Sequence, residues 1–102
     1  MEENKNLSTF VSDQFGSVRT LTIDGEPWFV AVDVCRALDI GNNRQALSYL
    51  DEDEKGVITS DTLGGKQKLN TVNEPGLYSL VLRSRKPEAK AFKRWITHEV
   101  IP

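Results

Sequence analysis

Residues 75–101, PGLYSLVLRSRKPEAKAFKRWITHEVI, carry the reading that decides the fold. Two apolar helical patterns meet there at a short basic knuckle, Arg83-Ser84-Arg85-Lys86-Pro87. In the first, Leu77, Leu80, Val81 and Ser84 fall at helical spacing, with Tyr78 and Leu82 widening the stripe. In the second, Ala89, Phe92, Ile96 and Val100 share one face, Trp95 sits on its edge, and Lys90, Lys93, Arg94 and Thr97 project from the other side. Pro87 suits a first helical turn, where a missing N–H costs nothing, and Glu88 suits the positive end of the helix dipole. The expectation is a helical hairpin, apolar inside and cationic outside, that forms the base of the fold and its main contact surface. By the same helical spacing Glu99 falls on the apolar face, with Arg36 as its candidate partner.

Upstream, the chain reads as short strands and short helices. Residues 7–12 (LSTFVS), 17–23 (SVRTLTI) and 28–30 (WFV) have strand composition. A turn signal at Gln14 to Gly16 and a hairpin dipeptide, Asp24-Gly25, make them a three-stranded antiparallel meander. The alternation in 17–23 is imperfect: Leu21 and Ile23 share a face with Arg19, while Val18 falls opposite. Residues 31–39 (AVDVCRALD) turn helical, with Asp33 and Arg36 as a polar pair three apart, and Ile40-Gly41 is the expected stop. Asn42 or Asn43 can cap a second short helix that buries Ala46, Leu47 and Leu50. The acidic run DEDE at 51–54 reads as a solvated loop. Residues 57–59 and 68–72 form a second hairpin with Gly64-Gly65 at or near its tip. The order β-β-β-α-α-β-β-α-α specifies an α+β domain: antiparallel hairpins and a meander packed with short helix pairs, closed by the helical hairpin. Residues 1–6 are an expected flexible tail and residues 7–102 the domain.

With 102 residues the chain is one domain with a single modest core. No apolar run approaches a membrane span, and MEENKNLS lacks the apolar segment of a signal peptide. One cysteine, Cys35, excludes an internal disulfide framework and suits a reducing cytoplasm; its apolar surroundings make it a small buried hydrophobe. The net charge of −2 hides a polarity. Residues 1–65 hold five Lys or Arg against twelve Asp or Glu, whereas residues 66–102 hold eight against three. An acidic pI near 5.4 argues against a generic nucleic-acid binder, yet a polarised molecule can present one basic face.

That face is concentrated. Arg83, Arg85, Lys86, Lys90, Lys93 and Arg94 occupy twelve residues opposed only by Glu88. Such a density suits phosphate contact, because neutralising cations release condensed counterions, and it suits an acidic protein surface equally. The glycine tip with Lys66 and Lys68 is a candidate β-wing, although a solubilised hairpin turn is the plainer reading. Residues 31–50 have the outline of a helix-turn-helix, with Asn43, Arg44 and Gln45 able to read base edges. Arg36 and Asn42 stand where that motif wants apolar residues, and the acidic run that follows would repel phosphates, so a structural helix pair is the preferred reading. His98 has no Cys or His partner at ligand spacing, Gly64-Gly65-Lys66 lacks the rest of a phosphate-binding loop, and no catalytic constellation is present. No enzyme, metal or cofactor is expected.

Several blocks, taken in order, resemble the Bro N-terminal domain of phage antirepressors and large DNA viruses. They are residues 28–34 (WFVAVDV) leading to Ala37-Leu38, residues 51–56, Gly64-Gly65-Lys66-Gln67, Gly76-Leu77-Tyr78, and the run from Arg83-Ser84 through Phe92, Lys93, Arg94 and Trp95 to Glu99-Val100. The resemblance covers nearly all of residues 15–102. It implies a small α+β domain of a phage or prophage regulator, DNA-binding, joined to a variable second domain, so that a chain of this length is an isolated domain or a truncated form. It also implies a phage repressor as an alternative partner and leaves homo-oligomerisation open. The expected phosphate contacts are Lys66, Lys68, Arg83, Arg85, Lys86, Lys90, Lys93 and Arg94, and the expected base readers are Asn43, Arg44 and Gln45; these rest on charge and geometry.

Overall fold

The computed structural model describes residues 7–62 and 64–101. Strands β1 (Ser8–Ser12), β2 (Gly16–Ile23) and β3 (Glu26–Val30) form the expected meander. Asp24 and Gly25 both adopt positive φ, 52° and 81°, which gives the mirror-type two-residue turn that matches strand twist. The β1–β2 turn is tied by Ser12, whose Oγ accepts from the amides of Gln14 and Phe15 at 3.1 and 3.2 Å. Helices α1 (Ala31–Ala37) and α2 (Asn43–Ser48) follow, then a 3-10 turn at Glu52–Glu54, then strands β4 (Lys55–Thr62) and β5 (Gly65–Asn73). Helices α3 (Glu74–Arg83) and α4 (Ala89–Trp95) complete the chain, with a π-helical turn at Ile96–Val100.

The meander and the second hairpin belong to one sheet of order β1-β2-β3-β5-β4. Antiparallel pairing of β3 with β5 sets Trp28 opposite Asn73, Phe29 opposite Val72 and Val30 opposite Thr71. That register explains the uneven alternation of β2, because both faces of the sheet bury apolar groups. Val18, Phe29 and Val72 point to the helices and join Val34, Leu38, Leu77, Leu80, Phe92 and Ile96, all fully buried, in the main core. Leu21, Val30, Ile58 and Leu69 form a second, smaller cluster on the other face, flanked by Leu7, Ile23 and Trp28.

Helix α1 ends earlier than Ile40-Gly41. The chain reverses at Asp39, in the left-handed region (φ 58°), while the Ile40 amide reaches back to the Cys35 carbonyl at 2.8 Å. This six-to-one closure satisfies a terminal carbonyl without glycine. Asn42 caps α2 through its side chain, which accepts from the Gln45 amide at 3.0 Å. The expected burial of Ala46, Leu47 and Leu50 is found.

Gly76 is required by close approach: a β-carbon there would lie 2.9 Å from the Glu54 carbonyl oxygen. Buried Asn73 locks the same junction, accepting from the Gly76 amide and donating to the Asp53 carbonyl, each at 3.0 Å. The start of α3 is thus fastened to the acidic turn, which is itself ordered by Glu54 accepting from the Asp51 amide at 3.0 Å.

Four details of the closing hairpin differ from the expectation. Leu82 does not widen the apolar stripe; it is 86% exposed, because Leu77, Leu80 and Val81 already fill the inward arc of α3. Helix α4 begins at Ala89 with Glu88 as its cap, so Pro87 precedes the first turn instead of occupying it. Glu99 is exposed, because the π-helical turn, closed by the Ile101 amide on the Ile96 carbonyl at 2.8 Å, widens the helix and rotates Glu99 off the face that keeps Ile96 and Val100. Arg36 therefore does not meet Glu99; it donates to the Ser17 carbonyl at 2.6 Å and pairs with Asp33 at 3.4 Å.

Candidate nucleic-acid interface

The closing hairpin carries its cations over a packed base. The base is aromatic: Phe15 meets Phe92 edge-on at 5.2 Å and stacks on Trp95 at 5.9 Å between ring centroids. Above it Lys90, Lys93 and Arg94 are exposed on α4, and Arg83 and Arg85 are exposed at and after the end of α3. Lys86 is different. It is half-buried, its ammonium donates to the Ala37 carbonyl at 3.1 Å, and it lies 5.9 Å from the Phe15 ring centroid. With the Ser84 hydroxyl donating to the Leu38 carbonyl at 2.8 Å, it pins the knuckle to the end of α1.

Two of the exposed cations are oriented by tyrosines. The Lys93 ammonium sits 5.2 Å over the Tyr78 ring. The Tyr78 hydroxyl donates to Glu74 at 2.6 Å; burial and the adjacent carboxylate push its pKa up to about 12, so it remains a donor. The Arg83 guanidinium lies 3.8 Å from the ring centroid of Tyr49, the residue that ends α2.

Arg44 and Gln45 are exposed on α2, and Asn43 is half-buried. On the hairpin, Lys66 and Lys68 are exposed and fall on the same face of β5 as Asn70. Helix α2 and this hairpin flank a groove of about 460 Å³, lined among others by Arg44, Ser48, Glu52, Lys55, Val57 and Asn70. Of the DNA contacts expected from sequence, the groove takes in Arg44. It also takes in Lys55 and Asn70, which sequence reasoning passed over: Lys55 follows four acidic residues and reads as neutralised, and Asn70 gains its meaning only from strand register. Tyr49 was likewise missed, since an aromatic at a helix end signals core packing before it signals surface.

A second groove of about 430 Å³ runs between the β1–β2 turn and the chain's last helical turns, past Gln14, Arg94, Trp95, His98 and Glu99. His98 Nδ1 lies 2.9 Å from the Arg94 carbonyl, which orients the imidazole on its own helix. Among the described residues no group of three or more His, Cys, Asp or Glu is arranged to hold a metal ion. Cys35 is buried, and desolvation raises its pKa to about 11, so it stands as a thiol within the core. No helix of the described residues is long and apolar enough to cross a membrane.

The chain is 42% identical over 105 residues to an uncharacterized protein of Haemophilus influenzae, an alignment that covers all of this chain and 51% of that protein. It is 30% identical to the Bro-N domain-containing protein 019R of Invertebrate iridescent virus 3, covering 81% of this chain and 29% of the viral protein. The same identity holds for protein 201R of Invertebrate iridescent virus 6, described in the same words, over 76% of this chain and 23% of that protein. The chain therefore spans about half the length of the first of these relatives and less of the others. No solved structure matches it. Residues 17–102 match the model of the BRO family, N-terminal domain, and with that match, nearly the whole described fold, the chain belongs to the Bro-N family.

Proposed function

We propose that this domain binds duplex DNA as the regulatory module of a phage or prophage antirepressor. One observation carries the proposal: a member of Bro-N, a family of DNA-binding type, exposes Arg83, Arg85, Lys90, Lys93 and Arg94 along its closing helical hairpin. Arg83, Arg85, Lys90, Lys93 and Arg94 contact phosphates, with Lys66 and Lys68 reaching from the β4–β5 hairpin. Lys86 supports the array from beneath and adds its charge. Each neutralised phosphate releases counterions, which makes binding steeply salt-dependent. Asn43, Arg44 and Gln45 of α2 supply base contacts. The net charge of −2 does not oppose this, because the field near the hairpin is set by local cations. Fluorescence anisotropy on a labelled duplex across a salt series tests the proposal; absence of binding at low salt would refute it.

A second reading has its own support in the acidic pI near 5.4. In it the domain is a protein-interaction module that engages and inactivates a phage repressor, the cationic hairpin meeting an acidic patch. Capture of the purified repressor by this domain, together with no affinity for DNA, selects this reading over the first.

A further inference from the structure

We infer that the groove between α2 and the β4–β5 hairpin is a second DNA-docking element, in which a sugar–phosphate strand passes between helix and hairpin while α2 faces the bases. The inference rests on the DNA-binding reading above and adds to it a surface that the charge run at 83–94 does not include. The groove's two sides are chemically matched to one strand. Arg44 and Ser48 stand on the helix side, and Lys55 and Asn70 on the hairpin side, so cationic and neutral donors face each other across about 460 Å³. Val57 lines the same groove and is 61% exposed, a large apolar side chain left in water on an edge strand. A sugar ring or a thymine methyl would cover it, whereas an ion alone would not. Lys68 continues the cationic line along β5, since alternate residues of a strand share a face and it lies two residues from Asn70.

The groove also carries its own regulator of affinity. Glu52, 96% exposed, pairs with Lys55 at 3.6 Å, and both residues line the groove. A strand that takes Lys55 as a phosphate partner must break that pair and pass the carboxylate. Glu52 therefore weakens binding, and its neutralisation strengthens it, a gain that misfolding cannot imitate. Glu52 takes no part in the hydrogen bond between Glu54 and the Asp51 amide that orders the turn, so its replacement spares the fold.

The experiment is fluorescence anisotropy of the full chain with a fluorescein-labelled duplex of mixed sequence at low ionic strength. Glu52→Gln is expected to tighten binding about two- to fivefold, the scale of one exposed ion pair. The matched neutralisation Glu26→Gln, beside the β2–β3 turn, controls for net charge and is expected to change binding less. Lys55→Gln is expected to weaken binding and to lower the salt slope by about 0.9, and Asn70→Ala to weaken it at unchanged slope. If the unmodified protein binds while Glu52→Gln and Lys55→Gln match it, the groove is not a docking element and the inference falls alone. If the unmodified protein binds no duplex and instead binds poly-glutamate, the DNA reading falls and takes the inference with it.

Discussion

The Arg83 guanidinium lies over the ring of Tyr49, 3.8 Å from its centroid, and so joins the end of α3 to the end of α2. The contact holds the planar guanidinium in place while leaving its N–H edge able to form a fork on a phosphate, which lowers the entropy lost on binding. Tyr49→Ala is expected to weaken duplex binding about two- to fivefold, in keeping with roughly 0.5–1 kcal/mol for an exposed cation–π contact. Tyr49→Phe keeps the ring and should bind as the parent does. Anisotropy at fixed salt checks both, and equal affinity for all three proteins would show that the contact has no part in binding.

A buried carboxylate ties the stability of the fold to pH in the acid range. Asp33 accepts from Arg19 at its amide, Nε and Nη2, at 2.9, 2.8 and 3.0 Å, and its side chain is 2% exposed. Burial alone would raise its pKa, but the hydrogen bonds from Arg19 and the charges of Arg19 and Arg36 outweigh that and hold it below the ordinary carboxylate value. A depressed folded-state pKa contributes stability in full above the unfolded value, near pH 4, and loses it as pH falls through the folded value. Urea unfolding between pH 7 and pH 3 should show this loss. Asp33→Asn should flatten that part of the profile and cost about 2–4 kcal/mol at neutral pH, the scale of breaking a buried ion pair whose cation can partly rehydrate.

At the junction of β5 and α3, Gly76→Ala forces a β-carbon against the Glu54 carbonyl, and Asn73→Ala removes both the cap of α3 and the bond to Asp53. Each should destabilise by about 1–3 kcal/mol. Thermal unfolding measures both, and a melting temperature unchanged in either variant would contradict the assigned contact.

Leu80 and Leu82 lie two residues apart on α3 with opposite fates. Leu80→Ala should cost about 2–5 kcal/mol, as for any fully buried leucine. Leu82→Ala should change stability by less than about 0.5 kcal/mol. Denaturant midpoints for the pair decide whether α3 has the orientation described.

Most of the fold was legible because local chemistry dictates it. The Asp24-Gly25 turn, the Asn42 cap, the Asp33–Arg36 pair and burial of Cys35 follow from residues within a few positions of one another. What was not legible depends on distant partners. Pairing of β3 with β5 leaves no mark in either strand, and the two-faced burial of the sheet looks like faulty alternation until that pairing is known. Leu82 and Glu99 were misplaced for geometric reasons, one because the inward arc was already full, the other because the last turn is π-helical. The candidate interface divides the same way. The cation run at 83–94 shows in the sequence, whereas the inward course of Lys86 and the gathering of Arg44, Lys55 and Asn70 at one groove are products of the tertiary fold.

The central claim is that the outer face of the closing hairpin neutralises DNA phosphates, and the salt dependence of binding tests it most directly. Anisotropy titrations of a labelled duplex, between about 50 and 200 mM salt, are to be compared for the parent and for the combined Lys90→Ala, Lys93→Ala and Arg94→Ala variant. The account predicts binding by the parent at low salt with a steep logarithmic slope, and in the variant weaker binding with a slope shallower by about 0.9 for each lost contact, so roughly 2 to 3 in all. A parent that binds no duplex at the lowest salt, or a folded variant with the parent's affinity and slope, would contradict it.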